Sequence, residues 1–202
     1  MFVDVDEYLY IKKNRTLLEF LTDIKFKKCE NIHINYREFG DSDLLNYDKR
    51  PLFIRFVKTY RFSPSIKTFV RGGIKNAIMD IHRSYNIKYY CNSEGKIIIP
   101  SAYDIKELSI ENAEIKHYIT KTIDEFVIKL IKGWPIVELG SIKYYNFLKH
   151  RIKYFFGINK LTKDKFIKIY PFIKDDNLTN IYLKKLNCTK NELKKINSKF
   201  IL

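Results

Sequence analysis

Asn86-Ile87-Lys88-Tyr89-Tyr90-Cys91-Asn92-Ser93-Glu94-Gly95-Lys96-Ile97-Ile98-Ile99-Pro100 is the stretch on which the reading of the fold turns. Two β-prone runs rich in Ile and Tyr flank a segment of Asn, Ser and Gly, the residues that tolerate tight turns. The pattern predicts a β-hairpin with strands at 86–90 and 96–100. Upstream, Ile32-His33-Ile34-Asn35-Tyr36 alternates like a further strand, and 16–24 reads as a short helix with Leu17, Leu18, Phe20 and Leu21 apolar. Residues 51–60 suit strand and helix equally.

Downstream, Ser109 is placed to cap a helix starting at Ile110. Apolar positions continue at helical spacing to Ile131, and Gly133 and Pro135 stop it. Short helices are expected at 142–155 and 163–170. A helical pair is expected at 178–199, its second member capped by Thr189 with Glu192 completing a capping box. The expected class is α+β: a small β-hairpin and sheet core at about 50–105 with flanking helices, and an all-helical C-terminal extension. The corresponding division is an N-terminal extension 1–48, a core 49–122 and a basic helical extension 123–202.

Charge is distributed unevenly over the 202 residues. The net +15 attracts polyanions, but Lys, Asn, Ile, Tyr and Phe dominate, as AT-rich coding produces without selection for function. Local clustering is therefore more telling than the total. Residues 49–88 carry ten basic groups against one acid, Asp80, and residues 141–202 carry 15 against four. Five of the eight arginines (Arg50, Arg55, Arg61, Arg71, Arg83) lie in the first of these blocks, with Lys49, Lys67, Lys75 and Lys88. Planar guanidinium groups fork to phosphates and stack on bases, and Phe53, Phe56, Tyr60, Phe62 and Phe69 are interleaved. This block points to nucleic acid, with Lys88 and Lys96 of the hairpin joining it.

Chemistry-bearing motifs are sparse. His33, His82, His117 and His150 are scattered, and no phosphate-binding glycine loop, nucleophile elbow or zinc-protease motif occurs. Glu111, Glu114, Asp124 and Glu125 read as a solvated helix face. Cys29, Cys91 and Cys188 are odd in number and lack metal or redox spacing, so reduced, mostly buried thiols are expected and a disulfide is not. The opening residues are acidic, unlike a signal peptide or presequence, and no apolar run reaches the length of a membrane span. The expectation from these residues is a binding protein without catalysis, cofactor, metal, small-molecule substrate or membrane partner.

Ile66-Lys67-Thr68-Phe69-Val70-Arg71, then Gly95-Lys96-Ile97-Ile98-Ile99-Pro100, and Thr120-Lys121-Thr122 follow one another in an order that resembles the ribosomal small-subunit protein S-nineteen family. Lys49-Arg50-Pro51-Leu52-Phe53 is similar to that family's upstream segment, whereas the family's central G-H-K-L-G-E-F has no counterpart. The resemblance covers about residues 49–122. It implies a structural protein of a divergent mitochondrial ribosome, organelle-encoded and working in the matrix. Its partners would be ribosomal RNA and neighbouring head proteins. Lys67, Arg71, Lys96 and Lys121 would be the RNA-contacting positions, with Lys49 and Arg50 on the upstream match. RNA would be recognised by phosphate neutralisation and shape. Two alternatives remain at this point. One is a replication or transcription protein of an AT-rich virus, in viral or host cytoplasm, reading DNA through a helix-turn-helix at 178–199 with Lys190, Asn191 and Lys194. The other is a scaffold whose basic charge is coding bias alone.

Overall fold

The computed structural model describes residues 1–13, 15–44, 47–99 and 108–122, together with twelve positions between 125 and 159. It forms two compact units, one of residues 1–39 and 59–119 and one of residues 40–58 and 120–202. The first unit is α+β. Its centre is a six-stranded mixed sheet built from β1 (Glu7–Ile11), β2 (Asn31–Phe39), β3 (Thr59–Val70), β6 (Tyr90–Cys91), β7 (Ile97–Ile98) and β8 (Ala113–His117), with a two-stranded ribbon of β4 (Ile78–Met79) and β5 (Ser84–Tyr85) beside it. The coarse class expected from sequence holds. The sheet, however, takes its central strand from residues 31–39, upstream of the interval expected to hold the core.

Strand β2 is the axis. One of its edges pairs antiparallel with β3. The other pairs parallel with β6 at Asn31–Ile32 and then parallel with β8 at Tyr36–Glu38. The β2/β3 register shifts between Asn35 and Tyr36, and Pro64, which has no N–H to give the ladder, falls in that irregularity. Its carbonyl accepts from Asn35 Nδ2 at 3.3 Å. Alternation along β2 reads like a half-buried strand, yet both faces are covered. Ile32, Ile34 and Tyr36 pack with Phe20, Phe26, Cys29, Cys91, Ala113 and Ile115. Asn31, His33 and Asn35 are also fully buried. Asn31 Nδ2 donates to Ser84 Oγ, and the Ser109 N–H donates to Asn35 Oδ1 at 3.1 Å.

The expected N-terminal helix is present as α1 (Leu17–Leu21), followed by a 3-10 turn at Ile24–Phe26. Thr16 and Glu19 form a reciprocal capping box. Residues 51–60 divide into a helical turn, α2 (Leu52–Arg55), and the start of β3. The hairpin is real but short. β6 pairs with β7, and the turn runs from Asn92 to Lys96. Asn92 Oδ1 accepts from the N–H groups of Glu94 and Lys96, both at 3.0 Å. Gly95 has φ +83°, and a Cβ there would lie 2.9 Å from the Lys25 side chain. Glycine is therefore required twice over, by conformation and by space.

Two expectations are corrected. The helix expected from Ile110 is instead strand β8 over 113–117, paired antiparallel with β1 and parallel with β2. Ala113 and Ile115, two residues apart, follow the period of a strand and both face the core, whereas a helical face through Ile110 and Ala113 leaves Ile115 on the opposite side. Secondly, Cys29 and Cys91 form a disulfide, with their Cα atoms 5.7 Å apart. Their 62-residue separation hides the pairing in sequence, but the parallel register Ile32–Cys91 brings β6 alongside the start of β2. The helices expected at 163–170 and 178–199, most of that at 142–155, and six positions between 123 and 131 lie outside the described residues.

A disulfide closing a loop of this length removes about 4 kcal/mol of unfolded-chain entropy. Cys91→Ala is expected to lower unfolding free energy in urea by about 3–4 kcal/mol. A loss below about 1 kcal/mol would show that the bond does not form in solution. His33, whose ring lies edge-on to Tyr90 at 5.5 Å, has neither nitrogen hydrogen-bonded. Burial pushes its pKa down to about 4. Because the unfolded chain binds this proton near pH 6.5 and the folded chain does not, stability is full above pH 6.5. It falls as pH drops towards 4, by about 3 kcal/mol in total. His33→Leu is expected to flatten that portion of the pH–stability curve, measured as the difference from the native chain.

Candidate active site

Cross-strand partners in a sheet point to the same face. One face of this sheet therefore carries Ile32, Phe69, Ile34 and Lys67, with Ile11 and Ala113, at one end. It continues through Leu9, Ile115 and Tyr36, and reaches Glu7, His117 and Glu38 at the other. The apolar end is sealed by Phe20 and Phe26. The polar end gathers ionisable groups from four strands, and the loop before β1 adds Asp4 and Asp6.

Glu7 is the hub. Its carboxylate accepts from the Tyr36 hydroxyl at 2.9 Å and from the Asp4 backbone N–H at 2.9 Å. Lys67 Nζ sits 3.1 Å from Glu7 Oε2 and 3.3 Å from Asp4 Oδ2. The lysine side chain is 1% exposed and that of Glu7 2%, whereas the Asp4 side chain is 66% exposed. A charge this deep requires partners, and the two carboxylates supply them. Asp4 thus presents an open carboxylate whose position is fixed from behind by a buried ion pair. Asp6 is buried next to it, and its carbonyl accepts from the Tyr118 N–H at 2.9 Å.

Tyr36 joins this acid–lysine cluster to two histidines. Burial, reinforced by the neighbouring Glu7 carboxylate, pushes the Tyr36 hydroxyl pKa up, so it remains a proton donor. His82 Nδ1 lies 3.2 Å from the Ile66 carbonyl and 3.4 Å from the Tyr36 hydroxyl. A carbonyl only accepts, so a proton on Nδ1 satisfies it and leaves Nε2 as the acceptor of the neutral ring. The His117 ring packs on Tyr36 at 5.1 Å and is the cross-strand partner of Glu7. Among the described residues no three carboxylate, imidazole or thiol groups converge as a metal cage. The positive charge between Asp4 and Glu7 is the Lys67 ammonium.

The residues expected to contact RNA are divided between the two units. Arg61, Lys67, Arg71, Lys75, Arg83, Lys88 and Lys96 belong to the first unit; Lys49, Arg50, Arg55 and Lys121 belong to the second. Several are engaged within the fold. Lys67 is buried as above. Arg71 donates to the carbonyls of Cys29 and Phe26 at 3.0 and 2.9 Å. Arg61 pairs with Glu38 at 2.7 Å and Arg50 with Asp48. Arg55 is buried, with a bidentate grip on Glu125 at 2.8 and 3.0 Å. Burial raises the pKa of Glu125, but the bonds from Arg55 and Thr122 outweigh it and leave it lowered. Arg83 lies over the Tyr85 ring and Lys88 over the Tyr89 ring. Lys49, Lys75 and Lys96 are exposed, and Lys121 is half-buried with φ +55°.

Sequence reading missed the acids. Asp4-Val5-Asp6-Glu7 registers as mere acidity, yet the signal is there: carboxylates at one-residue spacing leading into a β-strand. His82 and His117 look unrelated because they meet only through Tyr36. Lys67→Met leaves Glu7 buried without its counter-charge and is expected to cost about 3–5 kcal/mol in urea unfolding. Adding Glu7→Gln to Lys67→Met is expected to recover part of that loss. A double variant as unstable as the sum of the two singles would show that the pair is not coupled.

Residues 1–136 match the family model of glycosyltransferase family 92. No curated protein and no solved structure matches the chain. The match spans the whole sheet and every member of the acid–lysine–histidine cluster. It overturns the ribosomal expectation, and with it the translation role, the RNA and head-protein partners, and the exclusion of catalysis and of a small-molecule substrate. The viral DNA-binding alternative gains no support either. The misleading segments have a structural explanation: Ile66–Arg71 is a strand end and the residue after it, shaped by pairing with β2, and its lysine faces Glu7 rather than solvent. Matched over 136 of its 202 residues, the chain belongs to glycosyltransferase family 92.

Proposed function

We propose that this chain transfers a glycosyl residue from an activated sugar donor to an acceptor hydroxyl, and that the polar end of the sheet is where it does so. The observation that carries the reading is the family match, whose span contains Asp4, Asp6, Glu7, Tyr36, Lys67, His82 and His117 together. Glycosyl transfer makes two demands on a site. A proton must leave the acceptor hydroxyl as the new bond forms, and the negative charge left on the departing group must be met.

The cluster has groups suited to the first demand. Asp4 is the accessible carboxylate, and Glu7 and Lys67 hold it in place. The His82 imidazole, with Nδ1 at the Tyr36 hydroxyl and the Ile66 carbonyl, is a second candidate proton acceptor. Glu7 itself is committed to Tyr36, Lys67 and the Asp4 backbone and acts as a positioning residue.

Incubating the purified chain with a panel of labelled sugar nucleotides and sugar phosphates, with product analysis, tests the reading. Turnover of at least one donor is expected. Asp4→Asn is expected to lower kcat/KM by about 100-fold or more with the native circular dichroism spectrum retained, while Lys75→Ala on the exposed surface leaves the rate unchanged. Donor turnover that is indifferent to Asp4→Asn would reject this site, and absence of turnover across the panel would reject the activity.

A further inference from the structure

The segment before β2 has an unusual division between its two sides. Phe20 and Phe26 are fully buried and meet edge to face at 5.0 Å, anchoring α1 and the 3-10 turn to the sheet. The capping box and the Thr22 N–H to Leu18 carbonyl bond, 2.9 Å, hold the turns rigid. Facing away are Leu17, Leu18 and Ile24, 45%, 71% and 77% exposed. Single exposed leucines are ordinary on a soluble protein, but three branched aliphatic side chains within eight residues, on a rigid support, form a projecting patch. Lys13, Lys27 and Lys28 border it in sequence, all exposed and none in an ion pair among the described residues. The acids of the segment are already engaged, Asp23 by Arg15 and Lys25, and Glu19 by Thr16.

We propose that this patch docks the protein on an anionic lipid surface, with Leu17, Leu18 and Ile24 entering the boundary between headgroups and acyl chains and Lys13, Lys27 and Lys28 at headgroup level. Aliphatic side chains framed by lysine are the composition of an interfacial membrane contact. A nucleic-acid surface would favour aromatic or guanidinium planes, on which bases stack. Among the described residues no helix is long and apolar enough to cross a membrane. The docking rests on none of the acid cluster and stands independently of the glycosyl-transfer reading.

Co-sedimentation of the full chain with phosphatidylcholine vesicles, with and without phosphatidylglycerol, tests the docking. Partition is expected to be about tenfold higher on the phosphatidylglycerol vesicles. Leu18→Ser with Ile24→Ser, and separately Lys27→Glu with Lys28→Glu, are each expected to lower it about tenfold, with circular dichroism and melting unchanged. Equal partition on both vesicle types, or both variants sedimenting like the native chain, would overturn the proposal. So would capture of duplex DNA by the same lysines without vesicle binding.

Discussion

The register that sets Lys67 of β3 opposite Ile34 of β2 governs the rest of the structure. It places a lysine on the face that builds the apolar core, with only 1% of its side chain exposed. Lysine there is tolerated only where negative charge comes to it, because an unpaired ammonium at that depth costs several kcal/mol. Glu7 and Asp4 bring that charge from the start of the chain, so the N-terminal strand is bound to the sheet by electrostatics as well as by its ladder with β8. The arrangement also divides labour among the acids. Glu7 is enclosed and fixed, while Asp4 stays open to solvent with its orientation constrained.

The sheet face has a gradient built into it. Rows of Ile, Leu and Ala under Phe20 and Phe26 give way, two residues at a time, to Tyr36, Glu7 and His117. Site and core are consequently one continuous surface. The buried Tyr36 hydroxyl, kept protonated by burial and by Glu7, is the junction between them. Rigid supports of this kind suit a site whose groups must be held in place before a substrate arrives. The Cys29–Cys91 bond extends the rigidity to the 90–98 hairpin, which otherwise joins β2 through a two-residue parallel register.

Local chemistry was legible in the sequence and long-range pairing was not. The short helix within 16–24, the Asn92–Gly95 turn and the alternation of 32–36 could all be read because each depends on neighbours a few residues away. The helix expected at 110–131 failed at 113–117, where Ala113 and Ile115 alternate with period two and β1 and β2 pair with the segment as a strand. The disulfide escaped because its cysteines are 62 residues apart. The arginine cluster misled for a related reason: Arg55, Arg61 and Arg71 have partners on distant segments, and sequence shows their charge but not their engagement. The acids failed differently. Asp4, Asp6 and Glu7 were visible, but their meaning depends on Lys67, which lies 60 residues or more away and read as part of a basic block.

Hydrogen exchange of the full chain, with and without a turned-over sugar donor, probes the central claim most directly. Donor binding at the polar end of the sheet is expected to slow amide exchange at residues 4–11 and 113–117, while residues 92–98 of the hairpin are unaffected. Donor turnover with no added protection at 4–11 and 113–117 would contradict the placement of glycosyl transfer at the Asp4–Glu7–Lys67 cluster.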